Sequence, residues 1–264
     1  MYEFDYQRPA SVDAAVKIGG GDARFLAGGQ SLVQSMRLRL ASAPTLIDLR
    51  AIPDLRFIKV DGSTVTIGAM TTHATVAGSS EVIAAIPALA ELAGAIGDPM
   101  VRNQGTIGGS VANADPAACY PSAVLALNAT IKTNQRTIAA DDFFRGLFET
   151  ALQPGEMIVS ISFPVVKQAS YQKLRQPASR FPLVGVFVAN GTGGPRVAVT
   201  GAASHVFRVT DMETALKANF SPDAIADIKV SAAGLNGDMH GSAEYRAAMI
   251  TVLAKRGVAE ALSR

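Results

Sequence analysis

The chain has 264 residues, 48% of them hydrophobic, which supports a well-buried core and argues against disorder. Its 24 basic and 22 acidic residues leave a net charge of +2 with no basic stripe among aromatics, so nucleic acid is not an expected partner. A lone cysteine, Cys119, excludes an internal disulfide framework and an iron–sulfur cluster held by this chain alone, and the three scattered histidines lack zinc-ligand spacing.

The opening "MYEFDYQRPA" has acids and no apolar core, unlike a secretory signal. The longest apolar stretch, residues 82–96, is broken by Pro87 and Glu91 and is too short for a bilayer, so a cytoplasmic protein with no membrane span is expected. Ser11 caps a helix that runs into a glycine triplet, and "ARFLAG" is a short strand. Leu32, Val33, Met36 and Leu40 recur at helical spacing, and "TLIDLR" is the next strand. Asp61-Gly62 marks a hairpin, Thr71 or Thr72 caps a helix, and a further helix covers 84–96. Pro121 opens another helix, a hairpin and short helix follow from Ala129, and "EMIVSISFP" is a strong strand ended by proline. After a boundary near 164–168 come three antiparallel strands, then helical "SPDAIADI" and a long helix with Tyr245, Met249 and Leu253 along one face.

Two glycine pairs stand about 80 residues apart. In Ala27-Gly28-Gly29-Gln30-Ser31 a strand enters, glycines turn and a helix leaves, so free N–H groups and a positive dipole end suit an anion. The stretch is neither a P-loop nor Gly-x-Gly-x-x-Gly, and taken alone it reads first as an ordinary strand-to-helix turn with Ser31 as cap. Thr106-Ile107-Gly108-Gly109-Ser110 repeats the chemistry, and Asn113 and Asp115 can bond ribose or ribityl hydroxyls; a glycine turn closed at Asp115-Pro116 is the plainer alternative. Together the loops suggest a diphosphate held by backbone amides, hence a dinucleotide of unspecified kind. His73 is expected as a buried helix-start histidine rather than a base, Asp98-Pro99 and Arg102 as a turn or a site wall, and Cys119 as a buried or site-lining thiol. No Ser/His/Asp order or carboxylate pair stands out, which fits an enzyme whose cofactor supplies the chemistry.

The stretches "LAGGQSLVQSMRLRLASAPTLIDL", "IGDPMVRNQGTIGGSVANADPAACYPSAVLAL" and "DMHGSAEYRAAMITVLAKR" resemble the FAD-binding medium subunit of molybdenum hydroxylases, the group of carbon monoxide dehydrogenase and the xanthine dehydrogenase flavin domain. The resemblance implies an α+β protein. Its vanillyl-alcohol-oxidase-type FAD-binding domain, 1–165, would hold two α/β subdomains, about 1–54 and 55–165. A C-terminal domain, 166–264, would be a three-stranded antiparallel sheet with helices.

It implies FAD contacts from Leu26, Ala27, Gly28, Gly29, Gln30, Ser31 and Leu32, and from Gly105, Thr106, Ile107, Gly108, Gly109, Ser110 and Asn113. Ile96, Cys119 and Ile158 would join them, with Arg175 where relatives often carry a lysine and Phe181 where a tyrosine stands beside the isoalloxazine. No catalytic residue and no metal ligand of this chain is implied. Cys119 departs from a usual aspartate, Gln30 from a usual histidine and Ser110 from a common asparagine. The implied role is electron relay: FAD collects electrons from [2Fe–2S] clusters on a small subunit, served by a molybdenum-pterin cofactor on a large one, and passes them to NAD or a quinone. A dimer of heterotrimers is the implied assembly. A flavin-free dinucleotide-binding or scaffold subunit is the alternative from another class; a stand-alone flavin oxidase would need a substrate base, for which no candidate appears.

Overall fold

The computed structural model describes residues 1–264. Its first unit is a three-stranded sheet in which Thr45–Asp48 lies between Asp5–Gln7 and Arg24–Leu26. Both pairings are parallel, because each strand is joined to the next by a helix rather than a hairpin. Ser11 caps the first of these helices, Val12–Ile18, by accepting from the Ala14 N–H at 3.2 Å. The second, Leu32–Arg37, stops short of the expected pattern. Arg39 takes a φ of +61°, a left-handed conformation that ends a helix. Met36 is therefore buried, while Leu40 is 79% exposed.

The second sheet has five antiparallel strands, in the order Ile58–Asp61, Thr64–Gly68, Ile158–Pro164, Thr130–Thr133, Thr137–Ala139. The apolar strand Ile158–Pro164 sits at its centre, where buried neighbours on both sides suit its composition. Six helices are inserted between Thr64–Gly68 and Thr130–Thr133, and they pack with the sheet around a core of 36 buried residues. The helix expected over 84–96 is two helices, Ser80–Ala85 and Pro87–Gly94. Pro87 drives Ile86 out of the helical region, to φ −142° and ψ 74°. The second glycine pair, read as a loop, instead opens the helix Ile107–Asn113. Thr106 caps it, its hydroxyl oxygen accepting from the Gly109 N–H at 3.1 Å.

The third sheet has four strands rather than three: Ala169–Arg175, Pro182–Gly191, Gly194–Thr200 and the edge strand Phe207–Arg208. Two residues are too few to show alternation in a sequence. The helices Thr210–Ala218, which the sequence reading passed over, and Ala243–Leu262 bury a separate core of 14 residues against it. "SPDAIADI" forms only the 3-10 turn Pro222–Ile225. On the long helix the buried face runs through Arg246, Ile250, Leu253 and Gly257, not through Tyr245, which is 47% exposed. Gly257 approaches the sheet closely on that face, where a Cβ would stand 3.0 Å from Val188. Arg196 ties this unit to the second one, donating to the Leu125 carbonyl at 2.7 Å and pairing with Asp141 at 2.7 Å. No helix is long and apolar enough to cross a membrane.

Candidate functional site

The three larger sheets, and the two-stranded hairpin Phe144–Gly146/Glu149–Thr150, contribute to one cleft of about 1050 Å³. That is at the upper end of ligand pockets, which run to ~1,000 Å³. The two glycine pairs meet in it. A Cβ on Gly28 would stand 2.1 Å from the Gln104 carbonyl oxygen, and one on Gly109 would stand 3.2 Å from the Ala27 Cβ. Only glycine lets these two backbones approach so closely.

Their donors differ. The N–H groups of Gly28, Gly29, Gln30 and Ser31 have no backbone acceptor, so the first loop presents a row of unpaired amides to the cleft. In the second stretch the amides of Ile107, Gly108, Gly109 and Ser110 are all engaged, with Thr71, Ala69 and the side chain and carbonyl of Thr106 as acceptors. Thr106 alone keeps an N–H without a hydrogen-bond partner there. A clamp made equally from both loops is therefore not what the geometry holds. The first loop carries the free amides, and the second buttresses it while adding the hydroxyls of Thr106 and Ser110 and the Asn113 amide along the wall.

Every residue for which the resemblance implied an FAD contact lines this cleft except Ile107 and Arg175, while Asp98, Pro99 and Arg102 lie outside its lining. Ile107 is fully buried in the second core, and Arg175 ends its strand exposed. Lys173, two residues earlier and on the same strand face, reaches the cleft instead. Its ammonium donates to the Ala95 carbonyl at 2.9 Å and contacts the Cys119 Sγ at 3.4 Å. That cation was invisible beside Cys119 in sequence, because a strand of the third sheet delivers it. Phe181 packs edge-on to His240, ring centres 5.8 Å apart. Asp115 forms an Asx turn, accepting from the Ala117 N–H at 2.8 Å.

His73 also lines the cleft and is buried, its ring 5.3 Å from that of Tyr120. Burial first, and the Arg102 charge second, lower its pKa to about 4, so the ring is neutral at neutral pH and unsuited to act as an acid there. Arg102 itself donates to the Ile96 and Gly97 carbonyls. Glu156 lies at the cleft wall. Desolvation would raise its pKa, but hydrogen bonds from Arg136, Thr133 and the Gln153 N–H outweigh it and hold the group down to about 2. Neither group is a general base poised near neutral pH.

A second cavity, of about 810 Å³, shares Gly28, Met70 and Thr106 with the cleft. Several of its polar groups are engaged elsewhere: Arg50 pairs with Asp48, Arg56 bonds the Arg50 carbonyl and Thr71 the Phe57 carbonyl.

An extended cleft with unpaired backbone amides beside apolar walls and no acid–base pair is what a bound redox dinucleotide requires. Residues 2–166 match the family model described as "FAD binding domain in molybdopterin dehydrogenase". The chain belongs to that family. It is similar to the carbon monoxide dehydrogenase medium chain of Hydrogenophaga pseudoflava, 36% identical with 99% of this chain and 98% of the relative covered. The nicotine 6-hydroxylase medium subunit of Paenarthrobacter nicotinovorans is 35% identical, over 98% of this chain and 97% of the relative. Among solved structures, carbon monoxide dehydrogenase from Hydrogenophaga pseudoflava superposes with a TM-score of 0.90 over 99% of this chain and 98% of that one, at 36% identity. The chain is thus an FAD-binding medium subunit of the molybdenum hydroxylase family, an oxidoreductase flavoprotein subunit.

Proposed function

We propose that the protein holds FAD along the cleft between residues 1–165 and the C-terminal domain 166–264, and that it relays electrons in a molybdenum-containing hydroxylase complex. The observation that carries this is the row of unpaired amides at Gly28–Ser31, a donor set matched to a diphosphate that brings no lysine of its own. When bound, FAD supplies two-electron redox chemistry.

The chain's own residues do the rest. Gly28 and Gly29 let the backbone reach the diphosphate, while Gly105 and Gly108 keep the second stretch packed beneath it. Asn113 and Ser110 offer polar contacts to the ribityl chain. Ile96, Phe181 and Pro182 shield the ring from water, and Ile158 packs toward the other end. Electrons arrive from [2Fe–2S] clusters on a small partner subunit, fed by a molybdenum-pterin site on a large one, and leave to NAD or a quinone. The fitting assembly is a dimer of heterotrimers. Relatives named as medium chains of carbon monoxide dehydrogenase and nicotine 6-hydroxylase support this reading.

Isolation of the native complex, with metal analysis and acceptor assays, tests it. Co-purification with a molybdenum-bearing and an iron–sulfur-bearing chain, and reduction of NAD or a quinone, is expected. A lone monomer with full activity would contradict it.

A further inference from the structure

We propose that Lys173, held in place by Cys119 and Ala95, is an uncompensated positive charge that raises the reduction potential of the bound flavin. This rests on the reading that FAD lies in the cleft with its ring toward the C-terminal sheet.

Three separate elements fix the ammonium. Lys173 comes from the strand Ala169–Arg175, Ala95 from the end of the helix Pro87–Gly94, and Cys119 from the residue before the helix Tyr120–Ala126. Its partners are a backbone carbonyl at 2.9 Å and a sulfur at 3.4 Å. The protein's ion pairs do not include it. A half-buried lysine in a cleft ordinarily finds a carboxylate, and here the position against its ammonium is occupied by a thiol.

The surroundings sharpen the effect. Cys119 is 4% exposed. Around it the Tyr120 and Tyr171 hydroxyls and the His73 Nδ1 are buried without hydrogen-bond partners. None of these groups brings a negative charge to offset the ammonium. Burial and the proximity of Cys119 push both tyrosines up, and burial keeps His73 neutral. A fixed positive charge in a poorly solvated wall favours the charge state that carries more electrons, since Coulomb interactions strengthen as the local dielectric falls. A ring that gains negative charge on accepting electrons from the partner subunit is therefore stabilised in its reduced form. Lys173 and Cys119 act as positioning residues for the potential, with no bond made or broken at either.

Spectroelectrochemical titration of the FAD-loaded complex tests this, with FAD content and circular dichroism measured on each variant. Lys173→Met is expected to lower the two-electron potential by a tenfold or larger change in the reduction equilibrium, about 30 mV for this couple. Cys119→Asp, which supplies the missing carboxylate, is expected to lower it in the same direction. Cys119→Ser, which supplies none, is expected to leave it in place. A potential unmoved by both Lys173→Met and Cys119→Asp in FAD-loaded protein overturns the proposal alone. A potential raised by Cys119→Ser also overturns it, by showing that the sulfur already carries the compensating charge. Wild-type complex devoid of FAD would instead fail the underlying reading, and this proposal with it.

Discussion

Gly28, in the turn after the strand Arg24–Leu26, and the carbonyl of Gln104, the last residue of the helix Pro99–Gln104, are in direct backbone contact: a Cβ on Gly28 would lie 2.1 Å from that oxygen. The contact holds the free amides of the first loop against the capped helix start of the second. It also explains why two short glycine stretches far apart in the chain act as one structure.

Gly28→Ala is therefore expected to force the loops apart. Overpacking against backbone costs about 1–3 kcal/mol, so FAD affinity should fall at least roughly fivefold. Gly20→Ala is the control, because nothing lies within 4 Å of a Cβ there. Fluorescence titration with FAD measures both.

His73 predicts an acid-labile fold. Its folded pKa of about 4 lies below the ordinary histidine value of 6.5, so between those limits the unfolded chain binds more protons and stability falls as pH falls. The full effect approaches about 3 kcal/mol. Urea unfolding at pH 7 and pH 5 should show this loss in the wild type. His73→Leu should flatten that part of the profile, while Glu156, held down to about 2, keeps its own loss at lower pH.

Arg196 predicts an asymmetry between two partners. Asp141→Asn weakens a partly exposed pair and should cost about 1 kcal/mol or less. Arg196→Met also strips the buried Leu125 carbonyl of its donor and should cost about 1–3 kcal/mol. Chemical denaturation of the two variants checks the order.

Much of the fold was legible where local chemistry decides it. Ser11, Asp61-Gly62, Thr72 and Pro121 each mark an element boundary by a side-chain or backbone constraint that needs no tertiary partner. Legibility ended where packing decides. The two-residue strand Phe207–Arg208 exists only because Gly194–Thr200 pairs with it. On the last helix the close approach of Gly257 to Val188 accompanies the face that puts Arg246 inside and Tyr245 outside.

The same divide runs through the site. Glycine spacing pointed to the two loops, yet the unequal use of their amides follows from Thr71 and Ala69, which approach only in three dimensions. Arg175 was placed by resemblance in a cleft that Lys173, two residues earlier on the strand, lines instead, because Arg175 ends the strand exposed. The Lys173–Cys119 contact joins residues 54 positions apart and leaves no mark in either neighbourhood.

The absorption spectrum of the purified wild-type protein, with FAD quantified after extraction, is the most direct test of the cleft's role. Flavin bands and about one FAD per chain are expected, with less flavin retained through purification by Gly28→Ala. A well-folded wild-type protein that is colourless and takes up no FAD on titration would contradict it.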